Sequence, residues 1–359
     1  MIKMVKIFLR SVYTSFATNI LDRPGRLLSL LIFVLLLFFP ITRPTQNLLF
    51  VMIGGFILAM FAASWDLLVG RCGQISLGHS LYFGLGTYTT ALLCHYQGLP
   101  IYVTIPIGVL VGTLIAVPVG FPAIRLRGPY LSLTSMALPL IAAAMVIAFR
   151  DVTHGEEGIG PNFRFFPNLS WYKQWVGEYY LALMLLFISA CIIYKIANSR
   201  IGIVFVSILD DELASKACGI NVTKYKLLAF AISALFASLA GAYTAHSMIT
   251  GTRAAIGSLS LTQSFLPVIF TTFGGIGTIY GPIAGALIIA LVDGYILGIE
   301  VLNIEIAWHP LTYIIPVIIL LIVWPRGIAR FVTDKLDDLQ EERLLEERGK
   351  WIWKRKKVK

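Results

Sequence analysis

Charged side chains are scarce in this chain. Only 13% of its 359 residues are Asp, Glu, Lys or Arg, about half the share found in an ordinary soluble domain. From Cys72 to Ile124 no such residue occurs at all. With 57% hydrophobic residues and a mean hydropathy of +0.81, this composition excludes a water-exposed globule and places the chain in lipid. Cysteine is also sparse. Cys72, Cys94, Cys191 and Cys218 form no CxxC pair, so neither a disulfide framework nor a metal site is expected. Motifs of covalent chemistry are missing too: the sequence has no G-x-x-x-x-G-K-[ST], no H-E-x-x-H and no G-x-S-x-G. Nucleotide hydrolysis and the commonest hydrolase and zinc-protease reactions therefore have no seat here. The chain reads as no enzyme, with no catalytic residue and no cofactor of its own.

What is present is a series of charge-free gaps. A helix needs about 20 mostly apolar residues to cross the hydrocarbon core. Gaps of that order lie between Arg26 and Arg43 and between Arg43 and Asp66, and two more lie within Cys72–Ile124, divided at Gln97-Gly98-Leu99-Pro100. Further spans read as Gly128–Phe149, Tyr179–Ala197, Lys226–His246, Leu261–Ile276, Gly281–Ile299 and Ile306–Trp324. The fold class expected is an all-α polytopic bundle of about ten spans. Lys and Arg resist translocation and collect on the cytoplasmic side. With the N-terminus inside, all 29 Lys and Arg fall on inner segments except Arg43, Arg150, Arg164, Lys173 and Arg253. Both termini should be cytoplasmic.

This divides the chain into an N-terminal cytoplasmic or interfacial segment, residues 1–26, a transmembrane domain, 27–325, and a charged cytoplasmic tail, 326–359. Within the domain, residues 150–178 form an outer loop and 198–226 an inner one. The opening segment is expected to stay in the mature protein, because the apolar run ends in Phe39-Pro40 without an A-x-A site. The net charge of +10 sits beside spans and in the tail, which favours anionic lipid over nucleic acid as its counter-charge.

Three polar segments stand out. The stretch Gly73-Gln74-Ile75-Ser76-Leu77-Gly78-His79, followed by Phe83-Gly84-Leu85-Gly86-Thr87, crowds glycines and polar groups at membrane depth. Irregular backbone is tolerated there only where protein buries it or where it lines water, so Gly73, Gln74, Ser76, Gly78, His79 and Thr87 are candidates for a translocation path. Close helix packing is the competing reading. The outer loop holds His154-Gly155-Glu156-Glu157-Gly158, followed by Phe163, Phe165, Phe166, Trp171, Tyr172 and Trp175 as an aromatic belt. On the inner side, Asp210 to Ile220 reads as a short helix with an acidic start and a glycine stop.

With these residues in view, the chain resembles the permease subunits of branched-chain amino-acid ABC importers, M-type. Four blocks carry the resemblance: Gly73–His79 with Gly84–Tyr88, Arg127-Gly128-Pro129-Tyr130-Leu131, Thr153–Ile159, and Gly274-Gly275-Ile276-Gly277-Thr278-Ile279-Tyr280-Gly281-Pro282. A fifth, Asp211–Ala214 through Gly219–Phe230, is similar to the family's ATPase-coupling segment, although Val206–Leu209 lack the basic residue usual there. The resemblance implies a second permease subunit, two ATPase subunits that alone bind ATP, and an extracytoplasmic solute-binding protein. It makes Asp211, Glu212, Ala214 and Gly219 the ATPase-contact candidates, in a multi-pass protein of a prokaryotic cell membrane. Branched-chain amino acids are the first solute choice, with urea, short amides or aromatic acids as alternatives. A proton-coupled secondary transporter using His79, Asp66 or Asp293 is the rival from another class.

Overall fold

The computed structural model describes residues 32–123, 126, 128–160, 163–251, 253–292 and 327. The chain divides into two units. One takes in residues 1–43 and 328–359 and the other residues 44–327. In the first, the described part is a short apolar helix, Ile32–Thr42. The expected span at Ile306–Trp324, Asp293 and the charged tail lie outside the described residues.

The second unit is helical, and this is an all-α membrane protein. Among the described residues its main helices are α1 (Gln46–Cys72), α2 (Ser80–Gln97), α3 (Ile101–Ala123), α4 (Pro129–Ala148), α5 (Trp171–Ala197), α6 (Arg200–Asp210), α7 (Glu212–Ala217), α8 (Val222–Thr244), α9 (Leu261–Gly274) and α10 (Tyr280–Leu291), with a single helical turn, Arg150–Thr153, after α4. Each span read within residues 44–292 holds one of them. Five helices, α1, α3, α4, α5 and α8, are long and apolar enough to cross a membrane by length and composition. Helix α2 is 18 residues long and more polar, and α9 has only 14 residues.

Helix α1 is the centre of the unit. It starts where the Thr45 side chain accepts the Leu48 amide at 3.4 Å. At its other end the Gly73 amide donates to Val69 at 3.0 Å while Gly73 turns left-handed at φ +70. Its 27 residues span roughly 40 Å at the helical rise. Its most apolar stretch is 78% buried, as expected of a helix that is hydrophobic all round. Helices α5, α8, α9 and α10 pack on it, and α8 also packs on α2 and α3. Helices α3 and α4 are buried over only 28% and 22% of the corresponding stretch. Leu110, Leu114, Leu133, Ile141 and Met145 point outward from them, apolar surface suited to lipid or a partner subunit.

Helix α5 begins eight residues before the expected span. The apolar run is interrupted by Lys173, Gln174 and Glu178, yet these are helical, and Trp171, Tyr172 and Trp175 form the first turns of α5 instead of a separate belt. Glu178 is buried. Its carboxylate accepts from the Ser247 hydroxyl at 2.9 Å and the Met248 amide at 3.1 Å, which satisfies the chain where α8 ends.

Candidate functional site

The break between α1 and α2 is buried at most positions and tied to α1, α4 and α9 by hydrogen bonds. Trp65 Nε1 donates to the Ser76 carbonyl at 2.7 Å, the Leu77 amide to Ser135 Oγ at 2.9 Å, and Ser132 Oγ to the Ile75 carbonyl at 3.0 Å. Ser80 Oγ and Ser264 Oγ lie 2.6 Å apart. A buried amide without a partner costs about 1–3 kcal/mol, so serines on α4 and α9 are what allow non-helical backbone at this depth. Gln74, Ser76, Gly78 and His79 are all buried here, and Gly73 is half-buried with its Cβ position 2.8 Å from Leu209 Cδ1.

His79 lies at the crossing of α1, α2 and α8, stacked on Phe61 and edge-on to Tyr82. Its Nε2 is 3.0 Å from Ser64 Oγ and 3.3 Å from Ser233 Oγ. Each of those hydroxyls already donates its proton to a carbonyl at 2.6 Å, Ser64 to Phe61 and Ser233 to Ser64. Both oxygens are then acceptors toward the ring, which assigns a proton to Nε2. Among the described residues Nδ1 has no partner. This arrangement fixes the ring in place. Thr87 likewise serves packing, with its hydroxyl near the Phe83 carbonyl at 2.9 Å and the Gly241 carbonyl at 3.0 Å.

A second buried anchor is Asp66. Its carboxylate accepts from the Gly277 amide at 2.6 Å and the Ile279 amide at 3.2 Å, binding the loop between α9 and α10 to α1. Ile279 sits at φ +63, a strained conformation for a β-branched residue that persists only when its surroundings over-determine it. The sequence marked the Gly274–Pro282 block but not its partner on α1.

Between α5 and α8 the chain turns through α6 and α7. Asp210 closes α6, and Asp211 caps α7, accepting from the Leu213 and Ala214 amides at 2.8 and 3.0 Å. Helix α7 is therefore shorter than the Asp210–Ile220 reading, and Gly219 lies beyond it at φ +82 with nothing within 4 Å of its Cβ position. Asp211, Leu213, Ala214 and Gly219 are exposed. Glu212 differs: its two carboxylate oxygens accept from Lys216 and Lys226, each at 2.8 Å. Partial burial pushes this carboxyl up, but the two lysines outweigh it and hold it at about 2. Because that value is depressed, the pair's contribution is present above the usual carboxylate range and fades only as pH falls toward 2.

The loop between α4 and α5 is knit to the segment before α9 and to α2. Ile159 and Ala254 exchange backbone hydrogen bonds at 3.0 and 2.7 Å, and Tyr96 Oη donates to the Val152 carbonyl at 2.9 Å. Glu156 and Glu157 stay exposed. A cavity of about 300 Å³ lined by Phe163, Arg164, Pro167 and Gln174 opens nearby, and the path candidates are not among its lining residues. Among the described residues no cluster of His, Cys, Asp and Glu is arranged to hold a metal.

Residues 47–324 match the family described as branched-chain amino acid transport system / permease component. The high-affinity branched-chain amino acid transport system permease protein LivM of Salmonella typhimurium is 26% identical over 250 residues, 63% of this chain and 58% of that protein, and LivM of Escherichia coli K12 aligns to the same extent. The chain thus spans less than two thirds of these relatives' length. The fructose import permease protein FrcC of Rhizobium meliloti is 25% identical over 76% of this chain and 74% of its own. No solved structure matches the chain.

Proposed function

The chain belongs to the branched-chain amino acid transport permease family, and from that membership we propose that it forms half of the translocation channel of an ATP-driven importer. A second permease subunit completes the channel, two ATPase subunits power it from the cytoplasm, and an extracytoplasmic binding protein delivers the solute. The subunit does no covalent chemistry. It switches which side of the channel is open, in the cell membrane of a prokaryote. The observation that carries this reading is the family match over residues 47–324. The exposed Asp211, Leu213, Ala214 and Gly219 at the inner turn support it.

Branched-chain amino acids are the solute class we favour, from the LivM relatives. Sugars are the second reading, because permeases named for fructose and ribose import also align. Competition of labelled leucine uptake by valine, fructose and ribose assigns the class. Inhibition by valine alone is the expected result, and inhibition by sugars alone reverses the choice.

The proposed topology has ten spans with both termini cytoplasmic, as the distribution of Lys and Arg suggests. Single cysteines at Glu157 and Leu213 in a chain lacking its native cysteines test it. In intact cells a membrane-impermeant maleimide should label the first and spare the second. Labelling at Leu213 from outside refutes the orientation.

The rival proton-coupled mechanism loses ground on two residues. Asp66 is committed to two backbone amides, and His79 Nε2 is committed to two serine hydroxyls.

A further inference from the structure

Glu212 was expected to face the ATPase, but both of its oxygens are taken by lysines of its own chain. The two lysines differ. Lys216 lies one turn along α7 and 47% exposed, an ordinary surface pair worth little. Lys226 lies in the first turns of α8 and is 5% exposed. A buried ammonium is tolerated only with a charged partner, and removing that partner costs far more than losing a surface pair. The Glu212–Lys226 contact therefore ties α7, whose exposed face holds Leu213 and Ala214, to the base of a membrane-spanning helix. The same α8 carries Ser233, which meets His79 at the buried break, and Gly241, which meets Thr87. A second tie runs alongside: Ser215 Oγ donates to the Ser207 carbonyl of α6 at 2.9 Å, and Leu209 of α6 covers Gly73.

We propose that Lys226 is a positioning residue which, through its ion pair with Glu212, makes α7 and α8 move as one body. It converts displacement of the inner turn by the ATPase into displacement of the helix that walls the buried break. Glu212 is then an internal strut, and the exposed neighbours of α7 make the intermolecular contact. This inference rests on the importer reading above.

The test uses the full transporter reconstituted in vesicles with its binding protein, measuring ATPase retention, ATP hydrolysis and uptake together. Lys226→Met and Glu212→Gln should each keep the ATPase bound and hydrolysing while uptake falls about tenfold, so that ATP consumed per solute rises. A merely structural defect would lower hydrolysis and uptake in parallel. The charge-exchanged protein, Glu212→Lys with Lys226→Glu, restores the pair with reversed polarity and should recover uptake to within about threefold of wild type. Two results overturn the proposal: unchanged ATP per solute in both single variants, or an inserted, ATPase-bound exchanged protein no better than the single ones. If the wild-type chain retains no ATPase at all, the importer reading itself fails, before any variant is compared.

Discussion

Gly78→Leu should abolish solute uptake and strongly destabilise the purified chain. The position has no room for a side chain: a Cβ built there runs into the Ser135 carbonyl, with Pro139 Cδ at 3.4 Å. Backbone of α4 cannot retreat cheaply, because Ser135 Oγ is the acceptor for the Leu77 amide and Ser132 Oγ ties the Ile75 carbonyl to the same helix. Overpacking a well-filled interior costs typically 1–3 kcal/mol and more where backbone must shift, so a loss of about 3 kcal/mol or more is expected. Thermal unfolding in detergent measures it. Gly98→Leu is the control, since nothing lies within 4 Å of its Cβ position and only the left-handed backbone penalty of about 1–2 kcal/mol applies. Equal melting of the two variants contradicts the close packing of the break.

Asp66→Leu should have the second-largest effect, leaving the buried amides of Gly277 and Ile279 without their acceptor. At about 1–3 kcal/mol for each orphaned donor, the loss is comparable to the first. The loop should rearrange, because Ile279 at φ +63 is held in place by this carboxylate. Asp66→Asn keeps one acceptor oxygen and should retain part of the uptake. The same pair of variants separates anchor from proton site. An anchor ranks Asn well above Leu in melting temperature, whereas a proton site leaves both folded and both inactive.

The sequence made the helices legible because lipid demands long apolar runs, and each run read between residues 44 and 292 holds a helix. It misplaced the start of α5. There Gln174 and Glu178 break the hydropathy signal although both are buried on the protein side, where Glu178 serves the chain at Ser247–Met248. The glycine-rich break was legible as a place of unusual backbone. Its distant partners were not, because Ser135, Ser233 and Ser264 are single hydroxyls on apolar helices far away in sequence, where nothing distinguishes them from filler. Glu212 was legible as important but not in its direction. A carboxylate at a helix start suits the dipole whichever way it points, and only the folded chain brings Lys226 within 2.8 Å. The path candidates also take a definite place: Gln74, Ser76, Gly78, His79 and Thr87 are interior groups of the subunit, so solute contact with them requires the break to open.

The most direct measurement is leucine uptake into vesicles that hold the chain with its partner permease, binding protein and ATPase subunits, with ATP supplied on the ATPase side and a proton uncoupler present. The account predicts uptake that requires ATP and the ATPase subunits and is indifferent to the uncoupler. Uptake by the chain alone, driven by a proton gradient and abolished by the uncoupler, would contradict it.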